Sequence, residues 1–138
     1  MRDLKSPTPS PFAYLILRVV PSVERGERLN VGVVVFCRQL GFLGARVGLD
    51  HARLTALHPD LPVPDLADHL DALVRVSDGA PGAGPIAELA PSERFGWLAA
   101  PSSTIVQPSE AHTGLCCDPA ATLSALYDRL VELPASEH

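Results

Sequence analysis

The chain has 138 residues, of which 46% are apolar and 20% are charged, a composition typical of one globular domain and not of a disordered chain. Its apolar runs are all far shorter than the ~20 residues that cross a bilayer, and residues 1–12 lack the apolar core of a signal peptide, so we expect a cytoplasmic protein without membrane contact. The formal net charge of −5 argues against binding to nucleic acid, which requires a basic surface.

The charge is unevenly spread along the chain. Residues 1–53 carry eight Lys/Arg and four Asp/Glu, a charge of +4, whereas residues 54–138 carry three Arg and twelve Asp/Glu, a charge of −9. Either the two halves neutralise each other in space, or the first half holds a local anion site.

Proline punctuation and composition predict the domain limits. We expect a disordered leader at residues 1–10, a single domain over residues 11–133 and a short tail at 134–138.

Three predicted strands follow the leader. The predicted elements are a strand from Phe12 to Pro21, a connection over Ser22–Asn30, a strand over Val31–Arg38, a turn at Gln39–Gly41 and a strand over Phe42–Gly48. Such short connections predict an antiparallel meander. Alternation places Phe12, Tyr14, Ile16 and Arg18 on one face of the first strand, and Val31, Val33, Val35 and Cys37 on one face of the second. Because both faces are apolar, we expect the sheet to be covered on both sides.

Helical patterns dominate the second half. The predicted elements are helices over His51–His58, Asp65–Val76 and Pro91–Leu98, strands over Thr104–Gln107 and His112–Cys116, and a helix that starts at Asp118-Pro119. The apolar stripe of the last helix comprises Leu123, Leu126, Tyr127, Leu130 and Val131. The predicted fold class is therefore α+β, an antiparallel meander sheet with three to four helices packed on it.

The best functional lead is the polar set around the meander. If the strands pair in the simplest way, Arg18, Asn30 and Arg46 lie at the same end of the sheet, with Glu27 and Arg28 in the preceding loop. Guanidinium groups there suit bidentate binding of phosphate or carboxylate. The alternative is an Arg–Glu network that pins the loop. A charge such as Arg18 within an apolar strand needs a carboxylate or a ligand next to it.

Other kinds of site receive less support. His112, Cys116 and Cys117 are ligand types for zinc, but they lack a C-x-x-C pair, so we predict no metal site and no cofactor. Cys116 or Ser102 with His112 and Glu110 lacks any local signature of a nucleophile, so we predict no catalytic residue. The segment around Trp97 fits either a contact surface or part of the core.

Several of these residues resemble one known family. The first motifs are Arg18-Val-Val-Pro21, Gly26-Glu-Arg-Leu-Asn30-Val-Gly32 and Phe36-Cys37, and the later ones are Arg94-Phe95-Gly96-Trp97-Leu98 and His112-Thr-Gly114-Leu. Together they resemble bacterial domain-of-unknown-function family 3037, from Tyr14 to Leu130. The resemblance picks out Arg18, Glu27, Asn30, Arg94 and His112. It also implies a gene neighbour that encodes a HipA-like kinase, and so a functional partner.

We therefore expect a non-catalytic accessory protein that uses an Arg-rich anion or partner site with a kinase-like protein. The alternative is a small enzyme for a phosphorylated or nucleotide-like substrate, in which Arg18 and Arg46 hold the anion and Glu27 or His112 moves a proton. A homodimer through the second apolar face of the sheet is compatible with either function.

Overall fold

A computed structural model describes residues 4–101 and 105–132 of the chain. The strands are β1 (Ser10–Ser22), β2 (Glu27–Cys37), β3 (Phe42–Val47), β4 (Val106–Pro108) and β5 (His112–Cys116). The helices are α1 (His51–Leu57), α2 (Val63–Asp78), α3 (Pro91–Ala99) and α4 (Pro119–Leu130), with a short 3₁₀ helix at Pro85–Glu88. This arrangement confirms the predicted α+β class. None of the helices within the described residues is long and apolar enough to cross a membrane.

The five strands form one antiparallel sheet in the order β3-β2-β1-β4, and β5 also pairs with β1. The predicted meander of the first three strands is therefore confirmed. β4 and β5 follow the same edge of β1, because Leu17 lies opposite Pro108 and Tyr14 lies opposite His112. Between them, the Ile16 N–H donates to the Ser109 hydroxyl at 2.8 Å, and the Ser109 N–H donates to the Ile16 carbonyl at 2.8 Å. Ser109 thus keeps the interrupted edge attached to the sheet.

Helices cover both sides of the sheet, as the doubly apolar strands predict. On the three-helix face, α1, α2 and α3 enclose a core that comprises Leu15, Leu17, Val19, Val31, Val34, Leu54, Leu66, Leu70, Leu73, Val76, Leu98 and Val106. On the α4 face, a smaller core comprises Val33, Val35, Leu126, Tyr127 and Val131, with Phe12, Tyr14, Phe42, Leu123 and Leu130 packed against it. The predicted stripe of the last helix is thereby confirmed.

One prediction about β2 is wrong. Val31 does not share a face with Val33 and Val35 but packs in the core of the three-helix face. Leu17 pairs with Gly32 and Arg18 pairs with Asn30, so Val31 is an extra residue and forms a β-bulge. A Cβ on Gly32 would lie 2.8 Å from Val47 Cγ1, which explains why glycine follows the bulge. The bulge reverses the alternation, and Asn30 faces α4 beside Arg18.

The element boundaries also differ from the pattern-based limits. β1 starts at Ser10 and continues past Pro21 to Ser22, because the irregular pairing after Val19 tolerates a residue without an N–H. β2 starts at Glu27, after a tight turn in which Gly26 has φ 69°. The predicted tail at 134–138 and Thr104 of the predicted fourth strand lie outside the described residues.

Candidate functional site

Arg18 lies near the end of β1, between Asn30 of β2 and Gln107 of β4. It faces the same side of the sheet as Ile16 and Tyr14, two and four positions earlier on the strand. Its side chain is half-buried, and its Nε is fully shielded from solvent with no hydrogen-bond partner among the described residues. A guanidinium nitrogen without a partner is unfavourable in such a place, so this atom has an unused donor.

Two charged side chains act electrostatically on the Arg18 guanidinium. Burial lowers the pKa of Arg18 first, the positive charge of Arg28 lowers it further, and the carboxylate of Glu110 acts in the opposite direction. The predicted carboxylate neighbour therefore exists, but Glu110 is exposed and makes no direct ion pair with Arg18 within the described part of the chain. The positive charges of Arg18 and Arg28 thus repel each other, and Glu110 compensates this repulsion only in part. We call Arg18, Arg28 and Glu110 the Arg18 cluster.

The predicted Glu27 is the first residue of β2, directly after the β1–β2 turn. Its carboxylate accepts a hydrogen bond from Arg25 Nε, and the two side chains form an exposed ion pair across the β1–β2 turn. Such exposed pairs contribute little to stability. Because Glu27 is paired with Arg25, its carboxylate belongs to the β1–β2 turn. This pairing fits the alternative interpretation, in which an Arg–Glu network pins the loop.

Asn30 stands opposite Arg18, but its amide is engaged by the last helix. Asn30 Nδ2 donates to the carbonyl of Leu130 at 3.0 Å, and Arg53 Nη1 donates to the carbonyl of Val131 at 3.1 Å. These are among the carbonyls that a helix C-terminus leaves without internal partners. Asn30 therefore fixes the end of α4 next to the Arg18 cluster. A cleft of about 330 Å³ opens beside this helix end, lined among others by Asn30, Arg53 and Tyr127.

Arg46 faces α4 but does not join the cluster. It lies opposite Val33, which in turn lies opposite Ile16, so β2 separates it from β1. Two strand spacings correspond to about 10 Å, and α4 packs on the intervening strand. The Arg46 guanidinium sits 4.5 Å from the ring centroid of Tyr127, a cation–π contact. The structure therefore places Arg46 on the same face as Arg18 but at a separate position.

Arg94 belongs to a different part of the molecule. It projects from α3, where Nη1 donates to the Leu89 carbonyl at 2.6 Å and Nη2 donates to the Ser77 carbonyl at 3.4 Å. Burial raises the pKa of Asp78, and Arg94 opposes that rise. Arg94 thus holds α3 against the end of α2, and its contacts describe a structural role.

His112 lies at the start of β5, on the same face as Arg18. Its ring stacks on Tyr14 with centroids 5.1 Å apart, and Tyr14 stacks on Phe12 at 6.0 Å. Tyr14 and Arg18 are four positions apart on β1, which corresponds to roughly 13 Å along the strand. His112 is therefore part of an aromatic ladder and does not reach the Arg18 cluster.

Thiol and metal chemistry find no support in the described residues. There, no three His, Cys, Asp or Glu side chains come close enough to hold a metal ion. Cys37 and Cys116 are buried free thiols. Burial, followed by the neighbouring Cys37, raises the pKa of Cys116, so this thiol stays protonated and is a poor nucleophile. Ser102, the alternative candidate nucleophile, lies outside the described residues.

Sequence reasoning missed Glu110 as the acidic neighbour of Arg18. The sequence pattern does not show that the edge of the sheet is interrupted at Ser109, next to Glu110. Arg53 belongs to the polar set around the meander, but the sequence does not predict its partner, a backbone carbonyl far along the chain.

Comparison with known proteins gives one match. The model of a family described as "Protein of unknown function (DUF3037)" matches residues 14–131, most of the chain. Neither a curated protein nor a solved structure matches.

Proposed function

The chain belongs to the DUF3037 family, and we propose that it is a non-catalytic binding protein whose Arg18 cluster receives an acidic group of a partner protein. The observation that carries this proposal is the unused donor on Arg18, shielded from solvent and next to a second guanidinium. A phosphate or carboxylate placed between Arg18 and Arg28 would relieve the repulsion between the two positive charges, and a small movement of the Arg18 side chain would bring its free donor to the anion.

The surroundings of the cluster favour binding over catalysis. An enzyme for a phosphorylated substrate needs a proton-transfer group within hydrogen-bond reach of the anion. Of the two residues predicted for that role, Glu27 is paired with Arg25 in the turn, and His112 stacks on Tyr14 at a distance along β1. Glu110 is the carboxylate near Arg18, and it is exposed to water.

The partner we propose is a HipA-like kinase, which the family resemblance implies. A kinase carries acidic groups in its own chain and on its phosphorylated products, and Arg is well suited to both. We also propose that the chain is bacterial and is located in the cytoplasm.

Co-expression with the HipA-like kinase of the same genome, followed by size-exclusion chromatography, tests the proposal. We expect one co-eluting complex for the natural chain, and its loss in Arg28→Ala, since Arg28 is exposed and its replacement leaves the fold intact. Arg75→Ala is the matched control, because it removes one exposed positive charge on α2, outside the cluster. Separate elution of the natural chain and the kinase, or equal complex formation by both variants, would contradict the proposal.

A further inference from the structure

The helix α3 has one buried side and one exposed side. Leu98 is buried in the core of the three-helix face, and the Phe95 ring stacks on Phe36 of β2 with centroids 5.2 Å apart. The residues of the exposed side are three or four positions apart and are therefore neighbours on the helix surface; they are Glu93, Gly96, Trp97 and Ala100. Tryptophan is usually well buried, but Trp97 is 44% exposed, so its ring belongs to the surface and not to the core.

Gly96, next to Trp97, is not required by the fold. It lies inside α3 without a positive φ, and a Cβ atom at this position would meet no described atom within 4 Å. Glycine is less favourable than alanine inside a helix, so the helix itself would be more stable with a side chain here. The missing side chain allows the main chain of another molecule to approach α3 closely.

Glu93 lies one turn before Trp97 on this exposed side. Its carboxylate is exposed and makes no ion pair with any side chain that the structure describes. Residues 51–101, which contain α1, α2 and α3, carry seven Asp/Glu and three Arg. Each of these Arg is engaged within the chain, Arg53 and Arg94 by backbone carbonyls and Arg75 by Asp71. The helical part of the molecule is therefore acidic, and the charge next to Trp97 is not neutralised by a neighbouring cation.

We propose that the exposed side of α3 binds a basic segment of a partner protein, with an Arg or Lys side chain of that segment on the Trp97 ring and its charge at the Glu93 carboxylate. Tryptophan offers the most favourable ring to a cation and is enriched among the residues that dominate binding. The negative charge of residues 51–101 favours a basic partner over an acidic one. Because α3 packs on the three-helix face and Arg18 faces α4, this surface is separate from the Arg18 cluster and independent of the proposed function.

Fluorescence anisotropy of a short labelled peptide of alternating leucine and arginine, titrated with the full chain at physiological ionic strength, tests the proposal. A peptide with glutamate in place of arginine is the counterpart. We expect saturable binding of the arginine peptide and no binding of the glutamate peptide. Trp97 is the single tryptophan of the chain, so its emission should change in parallel with the binding of the arginine peptide.

Three variants assign the binding to this surface. Trp97→Ala should weaken it about tenfold, and Glu93→Gln should weaken it about threefold. Gly96→Ala should raise the midpoint of thermal unfolding and yet weaken binding about threefold, a combination that a purely structural role would not give. Glu24→Gln is the matched control for Glu93→Gln and should leave the affinity unchanged, because it removes an exposed carboxylate of the β1–β2 turn, at the end of β2 opposite to the aromatic contact with α3.

The proposal is overturned if the natural chain does not bind the arginine peptide, if it binds the glutamate peptide equally well, or if Glu93→Gln and Glu24→Gln bind with the same affinity. Binding by Gly96→Ala that is as tight as that of the natural chain would overturn the close approach of the partner to α3. A change of the Trp97 emission with protein concentration alone, without peptide, would assign the exposed side of α3 to a second copy of the chain and would overturn the basic partner as well.

Discussion

Replacement of Arg18 by methionine is expected to stabilise the fold while it removes anion binding. An unsatisfied, shielded donor costs about 1–3 kcal/mol, and the lower part of this range applies because Arg18 is only half-buried. Methionine keeps the apolar stem of the side chain without the charge. The repulsion from Arg28 and the attraction to Glu110 are lost together, and because the repulsion is the larger of the two, their loss does not oppose this gain.

The free energy of unfolding of Arg18→Met should therefore rise by about 1 kcal/mol. For a domain of this size, that change raises the midpoint of thermal unfolding by about 4 °C. The assay is thermal unfolding with increasing phosphate, compared with chloride at equal ionic strength. An anion that binds the folded state raises its stability by RT ln(1 + [L]/Kd), so phosphate should stabilise the natural chain and not Arg18→Met.

Arg75→Met is the matched control, since it removes the same charge and leaves only an exposed ion pair with Asp71 broken. It should retain the full response to phosphate, which separates specific binding from the general effect of such salts on protein stability. The reasoning is refuted if Arg18→Met lowers the free energy of unfolding by more than about 1 kcal/mol. It is refuted equally if phosphate stabilises Arg18→Met as much as the natural chain.

Three further predictions concern the residues that support the site. Burial raises the pKa of Tyr127, so the free energy of unfolding of the natural chain should fall once the unfolded tyrosine ionises near pH 10. Urea unfolding should show a smaller fall for Tyr127→Phe than for the natural chain between neutral pH and about pH 10.5. An equal fall in both would contradict the burial argument. Ser109→Ala leaves the buried Ile16 N–H without its partner and should lower the free energy of unfolding by about 1–3 kcal/mol, while Ser124→Ala on the exposed side of α4 should change it by less than about 0.5 kcal/mol. Arg94→Lys loses the forked contact to two carbonyls and should cost about 1–2 kcal/mol without changing the response to phosphate; a lost response would assign Arg94 to the anion site.

The sequence predicts the architecture well because the signals are local. Strand-length apolar runs, the turn at Gly41 and the Asp118-Pro119 helix start each depend on neighbouring residues, and all appear in the structure. The position of Arg18 opposite Asn30 also follows from the shortest hairpin connection. The sequence pattern alone therefore predicts the fold class and the position of Arg18 in the candidate site.

The remaining features depend on contacts between distant residues. Asn30 is engaged by Leu130, and Arg94 by Ser77, and no local pattern records either contact. Arg46 lies on the same face of the sheet as Arg18, but α4 packs over β2 and the Arg46 guanidinium contacts the Tyr127 ring. Sequence spacing indicates which side chains share a face, but not which of them a helix will separate.

The extra residue in β2 has a consequence for how chain length can vary in related proteins. Straight alternation from Val33 and Val35 would direct Arg28 and Asn30 under α1, α2 and α3, and the inserted Val31 sends them to the opposite side. A homologue with a one-residue gap at Val31 would form a regular ladder and still present both polar side chains next to α4. A gap anywhere in Val33–Cys37 would instead turn valines out of their cores. Alignments of the family should therefore tolerate a length difference at the bulge and nowhere else along this strand.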